Sequence, residues 1–280
     1  MFRLRGISET IRESAPPVVT DGFAALTNLG DPFFLLVLLA VYYWLADDRD
    51  NPAQLVAFAL LAVAVTVTLK NGFALPRPPA DVQAIPTDAD SFGFPSGHAI
   101  GATVVYGGLV AVDDRLRRRG PALALLGLAA LVGLSRVVIG VHYLGDVLAG
   151  FAVGAVVLAG LWVSDSQHRP LVAGVATVVG VAALFITEFG SDAAFVFGGS
   201  LGASVVFAVA DTDSFPTTGT VGARAALVAL GLLLLGGAYG LAEAVGHPLA
   251  LVAGGLVMLS GSLLLPVGVA NLPISRFPSE

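Results

Sequence analysis

Long apolar stretches, separated by short polar breaks, occupy most of this chain. They fall at roughly 32–46, 53–69, 97–112, 121–138, 143–163, 170–188, 193–210, 223–243 and 249–270. Within them Ala, Val, Leu and Gly follow one another without the period-2 alternation of a half-buried strand, so each reads as an apolar helix. A spanning helix needs about 20 mostly apolar residues, and the length leaves room for roughly eight or nine. The pattern predicts an all-α fold, a polytopic transmembrane helical bundle. Ahead of the first stretch, Ile7 to Gly30 is mixed in polarity and broken at Pro16-Pro17. It is expected to form either short interfacial helices on the outer surface or a tilted extra crossing.

Composition agrees with the pattern. The chain is 56% hydrophobic and 12% charged, with a mean hydropathy of +0.87. A soluble domain carries about 25% charged residues. The formal net charge is -6, and beyond Arg115 to Arg119 there is no basic stripe, so no nucleic-acid partner is expected. Cysteine is absent, which excludes a disulfide framework, a Cys-ligated metal and thiol chemistry. Met1 to Pro17 lack an apolar core and do not read as a signal peptide.

Arginine placement gives an orientation. Arg115, Arg117, Arg118 and Arg119 crowd one short loop, which the positive-inside rule puts in the cytoplasm. Alternation outward then puts Arg49, Arg169, Arg224 and Arg276 on the same side, and Lys70, Arg77 and Arg136 outside. The same parity puts Arg3, Arg5 and Arg12 outside, against the rule. Glycines four apart (Gly150 and Gly154, Gly198 and Gly202, Gly236 and Gly240) are spaced to let helices approach closely.

Three polar clusters interrupt the apolar background: Lys70-Asn71-Gly72-Phe73-Ala74-Leu75-Pro76-Arg77-Pro78, Pro95-Ser96-Gly97-His98, and Ser135-Arg136 running on to His142 and Asp146. Lys70 is the single lysine of the chain. Charge near a bilayer is costly and marks a site by default. Lys70, Arg77 and Arg136 can surround a tetrahedral dianion, Arg as a planar fork and Lys as a point charge. Ser96 is a good N-cap before an apolar run, and Gly97 admits a ligand close to the free N–H groups of a helix start. His98 follows where it can point toward the same anion. His142 and Asp146 are four apart, so on a helix they share a face. A carboxylate on Nδ1–H would fix the ring tautomer and free Nε2 to attack.

With that spacing and order (K-x6-RP, PSGH, SR-x5-H-x3-D) the chain resembles the type 2 phosphatidic acid phosphatase (PAP2) superfamily, whose site design is shared with vanadium haloperoxidases. The resemblance covers roughly residues 20 to 165. It implies a PAP2/haloperoxidase-like catalytic membrane core at 23–165, after an N-terminal interfacial segment at 1–22. Transmembrane helices of unassigned role would follow at 170–271. It implies catalytic roles for three residues: His142 as nucleophile forming a phosphohistidine, Asp146 orienting it, and His98 as acid and then base. Lys70, Arg77, Ser96, Gly97 and Arg136 would bind the phosphoryl oxygens. Three fixed cations and helix-start N–H groups can neutralise the group without Mg²⁺, so no metal and no other cofactor is expected.

The expected activity is a metal-independent phosphatase in the cell membrane, multi-pass, with its site on the extracytoplasmic side. Its partners would be the lipid bilayer and a lipid phosphate or diphosphate substrate. By family analogy a polyprenyl diphosphate comes first, then phosphatidate or phosphatidylglycerophosphate. Two alternatives stay open: a lipid phosphotransferase, and a lipid or headgroup transporter using the C-terminal helices, where Glu243 and His247 are also four apart.

Overall fold

The computed structural model describes residues 2–87, 91–212, 215 and 220–270. Those residues form eleven α-helices: α1 (Arg5–Ser14), α2 (Pro17–Leu26), α3 (Pro32–Leu45), α4 (Asp50–Phe73), α5 (Gly97–Val112), α6 (Arg119–Val138), α7 (Leu144–Val163), α8 (Arg169–Ile186), α9 (Ser191–Val209), α10 (Val221–Val245) and α11 (Pro248–Ala270). A 3-10 turn at Thr27–Gly30 joins α2 to α3. All nine apolar stretches are helical. Arg276, assigned a side from the sequence, lies outside the described residues.

Fewer of these helices are fit to span than the sequence suggests. Among the described residues seven are long and apolar enough, or eight if Pro17–Gly30 and Pro32–Leu45, bent by 50°, make one broken span. The exception is α5. Its 16 residues reach about 24 Å, and it is an inner helix, with nine residues buried, packed against both α6 and α7. Its job in the fold is to carry its N-terminus to a fixed place.

The chain divides into two compact units. One takes the residues up to Leu35 together with Thr66–Val163; the other takes Leu36–Val65 with the chain from Ser164. In the first unit α1 docks on α6 and α7, and α2 with its following turn docks on α6. The break expected at Pro16-Pro17 is there: Pro16 is extended, and Pro17 opens α2, where its missing N–H costs nothing. Gly150 and Gly154 of α7 lie against Ser96, Ala99 and Thr103, so α7 and α5 are drawn together close to the α5 start.

In the second unit α9 packs against α8 and α11, and α10 against α11. Gly198 and Gly202 lie against the backbone of Val252 and Leu256, whereas Gly236 and Gly240 have open space around them. Pro266 stands inside α11 and has no N–H for the carbonyl of Ser262, four residues back. Trp44 takes that role: its buried indole N–H donates to Ser262 O at 2.9 Å, and Tyr43 OH donates to Leu263 O at 3.0 Å. Glu243 and His247 are exposed, and His247 Nδ1 accepts the Leu249 N–H at 3.2 Å as a helix-start cap.

Candidate active site

Four segments of the first unit supply the site: the last turn of α4, the loop after it, the N-terminus of α5, and the connection between α6 and α7. Lys70 ends α4. A Cβ placed on Gly97 would meet Thr66 Cγ2 at 3.0 Å and Lys70 Cε at 3.8 Å, so the lysine stem runs directly over the α5 start. Ser96 caps that start, its Oγ accepting the Ala99 N–H at 3.5 Å, and it is fully buried. The Ser96 N–H donates to Asp146 O at 3.0 Å, which ties α5 to α7 at the cap.

The loop after α4 returns on itself. Pro76 bridges to Phe92, and the Gly93 N–H donates to Leu75 O at 2.7 Å. This places Arg77 beside His142. Arg77 Nε donates to Ser91 Oγ at 2.7 Å, and its NH1 lies 3.2 Å from Val141 O and 3.0 Å from His142 Nε2.

His142 sits in the short link from α6 to α7. Gly140 turns that link with φ +78°, and a Cβ there would strike Val82 O, so only glycine fits both the turn and the contact. The ring of His142 is buried, with Nδ1 2.6 Å from Gly93 O. Arginine can only donate and a carbonyl can only accept. Nε2 therefore carries the lone pair and Nδ1 the proton. Burial is the main influence on its pKa; Asp146 raises it, and Arg77, Lys70 and Arg136 lower it. The net effect brings it down to about 3. The ring is neutral near neutral pH, as a nucleophile must be.

The expected bond from Asp146 to His142 is corrected by this geometry. Asp146 Oδ2 is 3.6 Å from Nδ1, and the acceptor within bonding distance is the Gly93 carbonyl. The reason is local: α7 begins at Leu144, so His142 precedes the helix and does not share a helical face with Asp146. Asp146 instead takes the Tyr143 N–H at 2.9 Å and a two-pronged contact from Arg3. It remains a nearby negative charge against the ring.

Arg136, on the last turn of α6, reaches across to the turn after α2, where its NH1 donates to Thr27 Oγ1 at 2.7 Å. Its buried Nε has no hydrogen-bond partner among the described residues. A buried, unpaired N–H is costly, and it leaves this guanidinium with an open donor. His98, on the first turn of α5, packs against Gly30, where a Cβ would lie 3.1 Å from its ring. Arg136, His142, Lys70 and Arg77 all lie close enough to act on its charge. The eight site residues singled out from the sequence thus come together in one unit. Arg3, Thr27 and Gly93 join them without having been singled out. The signal for Arg3 was its placement against the positive-inside rule; Thr27 and Gly93 carry no local signal.

The arrangement brings an imidazole lone pair, a second imidazole and three cations within electrostatic reach of one another, with Lys70 over the start of α5. That set suits in-line attack on a phosphoryl group. The chain is similar to several known proteins. The profile of the PAP2 superfamily matches residues 51–170. Phosphatidylglycerophosphatase B of Bacillus subtilis (strain 168) is 31% identical over 148 residues, which cover 49% of this chain and 71% of that protein. A decaprenylphosphoryl-5-phosphoribose phosphatase of Mycobacterium tuberculosis (strain CDC 1551 / Oshkosh) is 32% identical over 136 residues, 47% of this chain and 72% of that protein. Among solved structures, the transmembrane PAP2 type phosphatidylglycerolphosphate phosphatase from Bacillus subtilis aligns with 28% identity and a TM-score of 0.47, covering 56% of this chain and 81% of that one.

Proposed function

This chain belongs to the PAP2 superfamily, and on that premise we propose that it hydrolyses a lipid phosphate through a phosphohistidine on His142. The observation that carries the reading is the tautomer lock on His142: Gly93 O on Nδ1 at 2.6 Å, and an Arg77 nitrogen 3.0 Å from the free Nε2. A phosphoryl oxygen arriving at Arg77 is brought to the attacking lone pair by the same guanidinium.

Nε2 of His142 bonds to phosphorus while the bond to the lipid oxygen breaks and His98 gives that oxygen a proton. His98 then takes a proton from a water whose oxygen attacks phosphorus. The P–N bond breaks, inorganic phosphate leaves, and both rings are restored. During the first step the ring of His142 becomes cationic. Gly93 O and the Asp146 carboxylate, 3.6 Å away, stabilise it. Lys70, Arg77, Arg136, the Ser96 hydroxyl and the Gly97 N–H hold the phosphoryl oxygens, the Ser96 N–H being taken by Asp146 O, so the chemistry needs no metal.

The two relatives act on different lipids by name, and both names join a lipid to a phosphate. We therefore take a long-chain lipid phosphate as the substrate class, with phosphatidylglycerophosphate and polyprenyl phosphates as its first members. Purified protein is expected to release inorganic phosphate from one member of a panel of these lipids, with phosphatidate and a polyprenyl diphosphate included. EDTA is expected to leave the rate unchanged and vanadate to compete with substrate. Activity lost on chelation and restored by Mg²⁺ would argue against this scheme. Transfer of the phosphoryl group to a lipid or sugar hydroxyl, with no free phosphate, would favour a phosphotransferase.

The site is read as extracytoplasmic. Its support is the loop of Arg115 to Arg119, which lies at the far end of α5 and α6 from His98 and Arg136. The natural lack of cysteine makes the test direct. In intact cells a membrane-impermeant maleimide is expected to label Glu9→Cys and to spare Arg115→Cys; both positions are exposed. Labelling of Arg115→Cys alone would reverse the orientation.

A further inference from the structure

A buried ion pair of the first unit joins the motif residue Asp146 to an arginine outside the motifs. Arg3, 5% exposed, meets the fully buried Asp146 with two nitrogens: Nε to Oδ1 at 2.7 Å and NH2 to Oδ2 at 2.8 Å. Its third nitrogen donates to Pro76 O at 2.8 Å, one residue before Arg77. The backbone is tied as well, with the Gly145 N–H donating to Arg3 O at 3.1 Å. Nearby, the Leu144 N–H donates to Ser8 Oγ at 2.8 Å. The guanidinium lies 4.6 Å from the centre of the Tyr143 ring, and that of Arg5 lies 5.1 Å from it.

This placement is specific. A Cβ on Gly93 would lie 2.9 Å from Arg3 NH2, and one on Gly145 would lie 2.5 Å from Arg3 Cα. Glycines therefore clear the way for the arginine on both sides. Gly93 O holds His142 Nδ1 at 2.6 Å, and Asp146 Oδ2 stands 3.6 Å from the same atom. Arg3 packs behind both acceptors. A fork of parallel N–H donors fixes a carboxylate in distance and in plane, which a point charge does not.

We infer that Arg3 is a positioning residue of the active site, holding Asp146 and the Gly93 carbonyl in place behind the imidazole of His142. The segment before α1 is then part of the catalytic apparatus and not a surface appendage. This inference rests on the reading of His142 as nucleophile.

Arg3 also balances charge. Facing His142 are Arg77 from the loop after α4, Lys70 from α4, Arg136 from α6, His98 from α5 and Asp146 from α7. Asp146 favours the protonated ring, and Arg3 offsets that charge at close contact. Removing Arg3 leaves the carboxylate unopposed. The ring then protonates more readily, and its nucleophilic form is lost at a higher pH.

The test uses the full chain in detergent, the lipid phosphate it hydrolyses and a phosphate-release assay across pH. Arg3→Gln is expected to lower kcat by about 10²-fold, the scale of a misplaced reacting group, and to move the acid limb of the profile to higher pH. Arg3→Lys keeps the charge without the fork and is expected to recover about a tenth of the lost rate or more, with the acid limb near its original place. Asp146→Asn is expected to cost less in the Arg3→Gln background than alone, since the two act as one unit. Parent-like rates and profiles in both Arg3 variants would overturn the inference. So would equal losses in both with an unmoved profile, the mark of a general folding defect. His142→Ala as active as the parent would instead overturn the reading of the nucleophile, whatever Arg3 does.

Discussion

Replacing His142 with alanine is expected to abolish turnover, by on the order of 10⁵-fold or more, the scale on which enzymes lose a covalent nucleophile. The scheme offers no other group in its place. His98 is the second imidazole, but the scheme needs it to shuttle the proton. Water would have to attack directly, without the split into two easier steps that a covalent intermediate provides. Asparagine is the better control for packing. Its amide can still donate toward Gly93 O, so His142→Asn tests the lone pair more than the fold. A phosphate-release assay checks both variants, and a residual rate within tenfold of the parent would remove His142 from the reaction.

His98→Ala is expected to slow turnover by about 10²–10⁴-fold, the usual worth of a positioned acid–base group. The size of the loss is to depend on the leaving group, which distinguishes acid catalysis from phosphate binding. A lipid alkoxide needs a proton as it departs, whereas an aryl oxide with electron-withdrawing substituents leaves without one. With an activated aryl phosphate the first step is therefore expected to recover in His98→Ala. The second step, which needs a base for water, is expected to remain slow, so a burst of one phenol per enzyme should precede a low steady rate. An equal loss on both substrates with no burst would assign His98 to binding.

Much of the site was legible because its signals are local. Ser96 before an apolar run predicts a cap, and the structure starts α5 at Gly97. The proline-rich stretch around Arg77 predicts a non-helical loop, and it is one. What the spacing of His142 and Asp146 could not give is where α7 begins. Two residues of offset turn an i,i+4 pair into a link plus a first-turn carboxylate, and the hydrogen bond passes to Gly93. That carbonyl is 49 residues away in the chain, and Thr27 is 109 residues from Arg136. Contacts of that range leave no period in a sequence. Arg3, 143 residues from Asp146, left only a trace, as an arginine on the wrong side by the positive-inside rule. The same applies to helix lengths. An apolar run at 97–112 looks like a short span until its neighbours are known, because burial by α6 and α7 and burial by lipid select the same residues.

The covalent intermediate is open to capture by rapid quenching with a radiolabelled lipid phosphate. Label is expected on the protein at early times, stable in alkali and lost in acid as a phosphoramidate is. It is to map to the peptide carrying His142, to be absent from His142→Ala, and to accumulate in His98→Ala when a labelled, activated aryl phosphate replaces the lipid. Label on a serine or on His98, or full turnover with no labelled protein in any variant, would contradict it.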